Sequence, residues 1–176
     1  MNRVSELENT RAKDNYLGIY FPWYTRPFLE ELIKWNIKNW KVFEYGSGDS
    51  TTWWRKNSYI VEAVDTNSEW AQNTGAKFIK DKESFIKYPT TLVGEDKFDC
   101  IVIDSDPVEW RDECTEYALK SIKNNGIIII DNYNQGSINL SNWPITDELL
   151  KNYEKYVFKE PTHADWKTAY WIIKNK

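Results

Sequence analysis

The sequence predicts an α/β fold: a seven-stranded, mainly parallel sheet with an antiparallel last strand and helices on both faces. Three observations predict it. Short apolar runs alternate with stretches of helical spacing, which calls for parallel strands, right-handed crossovers and helices on both sides. Four of those runs lead into an acid, Glu44, Asp65, Asp104 and Asp131. The last two runs are joined too closely for a helical crossover and must form an antiparallel hairpin.

In chain order, residues 1–16 read as a flexible N-terminal lead-in, and residues 17–176 as a single domain. Thr25 is placed to cap a helix whose apolar side is Phe28, Leu29, Leu32 and Ile33, with Pro27 tolerated in its first turn. Lys41-Val42-Phe43-Glu44 is a short strand running into a Gly-containing turn, and Ser50–Lys56 is the helix that follows. Tyr59–Val64 is a second strand, Ser68–Asn73 a second crossover helix and Lys77-Phe78-Ile79 a third strand. Phe98–Asp104 is a buried strand, and Glu109–Ile122 carries apolar residues at helical spacing. Asn124-Asn125-Gly126 is a stop signal before the buried run Ile127–Ile130. A helix capped by Thr146 carries Leu149, Leu150 and Tyr153. The strands Tyr156–Phe158 and Ala169–Ile173 close the chain.

Composition narrows the function. A net charge of −4 and a pI near 5.2 give no overall basic footprint, so neither nucleic acid nor an anionic membrane is an expected partner. The start carries no hydrophobic signal region, and Ile127–Ile130 is too short to span a bilayer, so a cytoplasmic location is expected. Cys100 and Cys114 fall in apolar patterns and read as buried free thiols. Tryptophan is abundant, 10 residues, mostly for core and half-buried packing. Tyr20, Phe21, Trp23, Tyr24 and Trp143 are candidates to wall a pocket.

In open parallel sheets, ligands bind beyond the carboxyl ends of the strands, where the winding reverses. Glu44-Tyr45-Gly46-Ser47-Gly48-Asp49-Ser50-Thr51 supplies a glycine turn there, with Thr51 or Thr52 where a dinucleotide fingerprint has its third glycine. Asp65 stands 21 positions after Glu44, close to the roughly 20-residue offset of an acid that binds ribose hydroxyls. A ribose acid without a pyrophosphate turn points to a nucleoside ligand.

Phe43-Glu44-Tyr45-Gly46-Ser47-Gly48 through Trp53-Trp54 resembles motif I of class I S-adenosylmethionine-dependent methyltransferases. It is especially similar to a bacterial subgroup of small domains with an E-Y-G-S-G-x-S-T pattern. Val64-Asp65 through Glu69-Trp70 resembles the second motif, and Phe98 through Asn132, with Arg111 and Cys114 between, the fourth and fifth. The likeness spans roughly residues 20–175 and implies a Rossmann-like methyltransferase fold with S-adenosylmethionine as cofactor. It implies that Glu44 and the Gly46-Ser47-Gly48 backbone hold the methionine portion, with Thr51 in the same loop. Asp65 takes the ribose hydroxyls, and Thr66 lies near the adenine, as does the stretch Asp81–Ser84. Asp104 faces the sulfonium. The chain departs from the subgroup at Asp104-Ser105-Asp106-Pro107, where Asp-Gly is usual, and at Lys123-Asn124-Asn125-Gly126, in place of Pro-Gly-Gly.

Asp106-Pro107-Val108-Glu109 lacks the second proline and the aromatic of the motif that accompanies amine or amide acceptors. An oxygen on a small molecule or glycan is therefore the expected acceptor. Asp104, Asp131 and His163, the only histidine, are the catalytic candidates, His163 as general base or substrate-positioning group. No metal is expected. Two alternatives stand beside this reading. One is a magnesium-dependent O-methyltransferase of the catechol type, with Asp104, Asp131 and Asn132 as oxygen ligands. The other is a non-catalytic, cofactor-binding or interaction subunit that keeps the fold.

Overall fold

A computed structural model describes residues 21–92, 97–133 and 143–175, with the side chains of His163 and Ala164 excepted. The expected lead-in 1–16 and Tyr20 lie outside the described residues. In order, the elements are α1 (Arg26–Leu32), β1 (Lys41–Tyr45), α2 (Asp49–Asn57), β2 (Ile60–Asp65), α3 (Ser68–Thr74) and β3 (Lys77–Phe78). Then come α4 (Lys82–Leu92), β4 (Phe98–Ile103), α5 (Arg111–Ser121), β5 (Ile122–Ile130), α6 (Pro144–Leu150), β6 (Glu154–Glu160) and β7 (His163–Ile173).

The strands form one seven-stranded sheet in the order β3-β2-β1-β4-β5-β7-β6. Pairing is parallel from β3 to β5, and β7 runs antiparallel to both β5 and β6. The expected architecture is the observed one. Alternation along each strand sorts the core into two layers. Phe43, Tyr45, Ile101, Ile103, Ile128 and Ile130 face α4, α5 and α6, against Phe85, Ile86, Cys114, Ala118 and Leu150. Val42, Cys100, Val102 and Ile129 face α1 and α2, against Phe28, Leu32, Trp53 and Trp54. Both thiols are free and buried.

Four local expectations change. α4 is a helix that periodicity did not reveal, because Pro89 lies inside it and reads as a breaker. Thr25 occupies the N-cap of α1 but makes no side-chain cap. Instead the Arg26 amide donates to Glu160 Oε2 (2.8 Å) and the Thr25 amide to Thr168 Oγ1 (3.0 Å), so the β6–β7 hairpin caps the helix. α6 starts at Pro144, two residues before Thr146, and is capped from α5: Asp112 accepts from the Ile145 and Thr146 amides at 3.1 and 2.8 Å. The stop signal Asn124-Asn125-Gly126 lies within β5, where Asn125 takes φ 63° and the register with β4 slips between Phe98 and Cys100.

Among the described residues, no helix is long and apolar enough to cross a membrane.

Candidate functional site

The chain winds from β1 outward to β2 and β3, then returns to β4 on the other side of β1. Where the direction reverses, the first and second turns diverge and leave a crevice. Two adjoining clefts of about 360 Å³ each open there, sharing Gly46, Ser47, Trp70 and Asp104. One adds Trp23, Glu44, Gly48, Asp49 and Ser50, and the other Asp65, Thr66, Asn67 and Asp106.

The two glycines of the first turn have different reasons to be there. Gly46 has φ +90°, and a Cβ on it would sit 2.3 Å from the Asp104 carbonyl oxygen. No other residue fits, because the turn crosses the end of β4 at backbone contact. A Cβ on Gly48 would meet only Trp70, at 4.0 Å, so its missing side chain leaves open space in the cleft rather than relieving a clash.

Glu44 shares the parity of Val42, which turns its carboxyl to the α2 side, where it is fully buried. Thr51 Oγ1 donates to Oε2, while Oε1 has no partner among the described residues. Thr51 also accepts from the Gly48 amide (3.0 Å), so it ties the turn to the acid without lining the cleft itself. Burial pushes the Glu44 carboxyl up to about 8.

Asp65 closes β2 and is nearly buried. Its Oδ2 accepts from both the amide and the hydroxyl of Ser47, at 2.7 and 2.8 Å, and its Oδ1 from the Asn67 amide at 2.7 Å. A carboxylate has about four acceptor sites, so one remains for a ligand hydroxyl. Asn67 caps α3, and Thr66 Oγ1 donates to the Asp106 carbonyl (2.7 Å), joining the two loops that floor this cleft. Asp81 instead accepts from the Ser84 amide (2.8 Å), and the stretch Asp81–Ser84 is not part of the cleft lining.

Asp104 follows β4 and lines both clefts. Burial pushes its carboxyl up, and the Arg111 guanidinium, 3.1 Å from Oδ1, offsets part of that. Asp131 follows β5 but turns away from the clefts: Thr168 Oγ1 donates to it at 2.5 Å and Trp166 Nε1 at 3.4 Å. Burial and the charge of Asp104 raise the Asp131 carboxyl. Sequence spacing therefore finds Asp131 at the right edge, but its carboxyl is spent on β7. His163 opens β7 opposite Glu160, two strands over from β4 and six residues ahead of Ala169, the partner of Ile130, so the backbone does not bring it to the cleft lining. Of the aromatic candidates, Trp23 lines the cleft, whereas Tyr24 and Trp143 are core and Phe21 packs against it. Trp70, Asn67 and Asp106 were not expected as lining. Trp70 ends the stretch that resembles the second motif, while Asn67 and Asp106 are signalled only by nearness to Asp65 and Asp104.

The magnesium reading needs Asp104, Asp131 and Asn132 free to turn on one ion. Arg111 already stands among them, donating to Asn132 Oδ1 and the Asp131 carbonyl, both at 3.0 Å, and to the Ser105 carbonyl at 2.6 Å. The residues present do not fit the ion. The crevice instead presents groups that would fit S-adenosylmethionine: a buried Glu44 oxygen without a partner among the described residues, a Gly48 that leaves the cleft open, and an Asp65 carboxylate oriented by Ser47 and Asn67.

No protein-family model and no curated protein matches the sequence. Solved structures do match. The O-methyltransferase TomG from Streptomyces achromogenes, crystallised with S-adenosylmethionine, is 13% identical, with a TM-score of 0.61 over 95% of this chain and 89% of that one. A putative rRNA methylase from Clostridium thermocellum is 14% identical, with a TM-score of 0.63 over 89% and 99%. The Bacillus cereus O-methyltransferase in complex with SAH is 17% identical, with a TM-score of 0.60 over 96% and 89%. The class defined by this likeness is one of fold: the chain shares the Rossmann-like, seven-stranded architecture of these methyltransferases.

Proposed function

We propose that this protein is an S-adenosylmethionine-dependent methyltransferase that transfers the methyl group to an oxygen of a small molecule or glycan. The observation that carries the reading is the acid-lined double cleft at the switch point, with Glu44, Asp65 and Asp104 at three of its corners. The cofactor carries a positive ammonium and a positive sulfonium on a nucleoside, and each feature has a matching group. Glu44 Oε1 accepts the ammonium, the Gly46-Ser47-Gly48 backbone borders the methionine portion, and Thr51 holds Glu44 in place. Asp65, oriented by Ser47 and Asn67, takes a ribose hydroxyl at its remaining acceptor site, with Thr66 toward the base. Asp104 lies between, facing the sulfonium.

The bound cofactor supplies an activated methyl group; the protein must align an acceptor and take its proton. Asp104 is the ionisable group that lines both clefts, and its raised affinity for a proton suits it to that role. Trp23 and Trp70, 48% and 51% exposed, offer apolar walls on either side of the acceptor's entry. Asp131 acts indirectly, holding Trp166 and Thr168. His163 is a further proton acceptor if the acceptor reaches the β6–β7 turn. Loss of turnover in His163→Ala with unchanged cofactor affinity is the expected result, and unchanged turnover removes the role.

A small acceptor is favoured over RNA by the cleft itself. Among the described residues its lining includes Asp49, Asp65, Asp104 and Asp106 and no lysine or arginine, so a phosphate backbone would be repelled. Incubation with methyl-labelled cofactor over a panel of phenols, sugars, amines and structured RNA tests this. Label is expected on a hydroxyl compound, and label on RNA alone overturns the acceptor assignment.

A further inference from the structure

Arg111 is the first residue of α5, yet it is only 5% exposed. Its guanidinium reaches four oxygens drawn from the loops after β4 and β5. Nε donates to the Ser105 carbonyl, Nη1 to the Asp131 carbonyl and to Asn132 Oδ1, and Nη2 pairs with Asp104 Oδ1. A planar fork of donors suits such a divided set of oxygens better than an ammonium would, and its charge persists at any pH the protein experiences. Oxygen donors of this kind, from the same two strand ends, are also what a hard divalent cation selects. One cation site cannot hold both charges.

We propose that Arg111 stands in for a divalent cation in this protein, as a positioning residue that fixes Asp104 toward the cleft without any metal. The inference deepens the methyltransferase reading and rests on it for its catalytic meaning, though not for its geometry. Two consequences follow. Arg111 is too buried to meet the acceptor itself, so Asp104, held by the guanidinium, is the group that faces it. Asn132, held at φ 55°, belongs to the arginine's cradle and not to a ligand set.

The direct test is electron paramagnetic resonance of Mn²⁺ titrated into the purified full-length protein and its variants. Wild type is expected to leave the free-ion signal undiminished. Arg111→Ala, which empties the cradle, is expected to bind Mn²⁺, and Arg111→Ala/Asp104→Asn to lose that binding. Arg111→Lys keeps a charge in place and is expected to stay silent, so it serves if Arg111→Ala does not fold. Mn²⁺ binding by wild type that Asp104→Asn abolishes would overturn the proposal, as would a folded Arg111→Ala that binds no ion. Calorimetry of S-adenosylmethionine with EDTA or with Mg²⁺ should give the same affinity, and a tenfold gain with Mg²⁺ would contradict it. If wild type binds no cofactor at all, the methyltransferase reading fails while the manganese result still decides the role of Arg111.

Discussion

Gly46 and Gly48 look alike in the sequence and differ in what they do. At Gly46 a methyl group meets the Asp104 carbonyl in a left-handed backbone. Gly46→Ala should destabilise the fold by about 2–4 kcal/mol, read as a lowered denaturation midpoint. Gly48 is extended (φ 178°) and faces open space. Gly48→Ala should leave stability within about 0.5 kcal/mol while weakening cofactor binding, because the new methyl enters the cleft. Equal stability losses at both positions would contradict this division. Glu44 yields a second residue-scale prediction. Near neutral pH its carboxyl is largely protonated in the empty protein, since burial raises it to about 8. An ammonium at Oε1 favours the ionised form, so cofactor binding should release close to one proton and tighten as pH rises toward 8. Calorimetry at pH 7 in buffers of different ionisation enthalpy measures that proton. Glu44→Gln should release none, and a wild-type titration without proton release would sink the assignment.

At the scale of elements, what the sequence reveals is periodicity and what it hides is partnership. β1, β2, β4 and the end of β5 were legible as apolar runs, and the Glu44–Thr51 turn and Asp65 as spacing. α4 was not, because a single Pro89 outweighs the helical pattern of Phe85 and Ile86 when no tertiary contact is visible. Thr25 and Thr146 are good capping residues in sequence, but the caps come from Glu160, Thr168 and Asp112, 134 or more positions away for α1 and about 34 for α6. Asp112 is buried and holds two orphan amides of α6. Asp112→Ala should cost about 1–2 kcal/mol, a few degrees in Tm, with unchanged cofactor affinity. A drop in affinity equal to that of a cleft variant would mean that α6 shapes the site. The same limit explains the tryptophans: Trp23 and Trp143 read alike in sequence, and only packing sends one to the cleft and the other to the core.

The whole molecule concentrates acid at one edge of its sheet, Glu44 and Asp131 buried and Asp104 half-buried, and this has a thermodynamic signature. Burial raises Glu44, Asp104 and Asp131 above their ordinary values. The folded chain therefore holds protons that the unfolded chain gives up. That stability is complete below about pH 4 and is lost as pH rises toward 8, so Tm should fall between pH 5 and pH 8. Glu44→Gln should flatten the slope, and an unchanged slope would show that Glu44 is ionised in the empty fold. A ligand with two positive centres that pairs with the ionised acids should reverse the trend, so under the proposed function added S-adenosylmethionine should raise Tm more at pH 8 than at pH 5. The fold and the place of the cleft were largely readable from the alternation of runs and from Glu44, Asp65 and Asp104, whereas Asp131, the fourth strand-end acid, turns away from the cleft. The acceptor was not, since Trp70, Asn67, Asp106 and the cradle of Arg111 depend on contacts between loops far apart in the chain. The account rests on one claim, that the double cleft binds S-adenosylmethionine through Asp65. Calorimetric titration of the cofactor into wild type and Asp65→Ala tests it most directly. The account predicts one bound molecule per chain in wild type and a loss of about 10- to 100-fold in affinity for the variant, the size of a charged hydrogen bond; no binding by wild type, or equal binding by both, would contradict it.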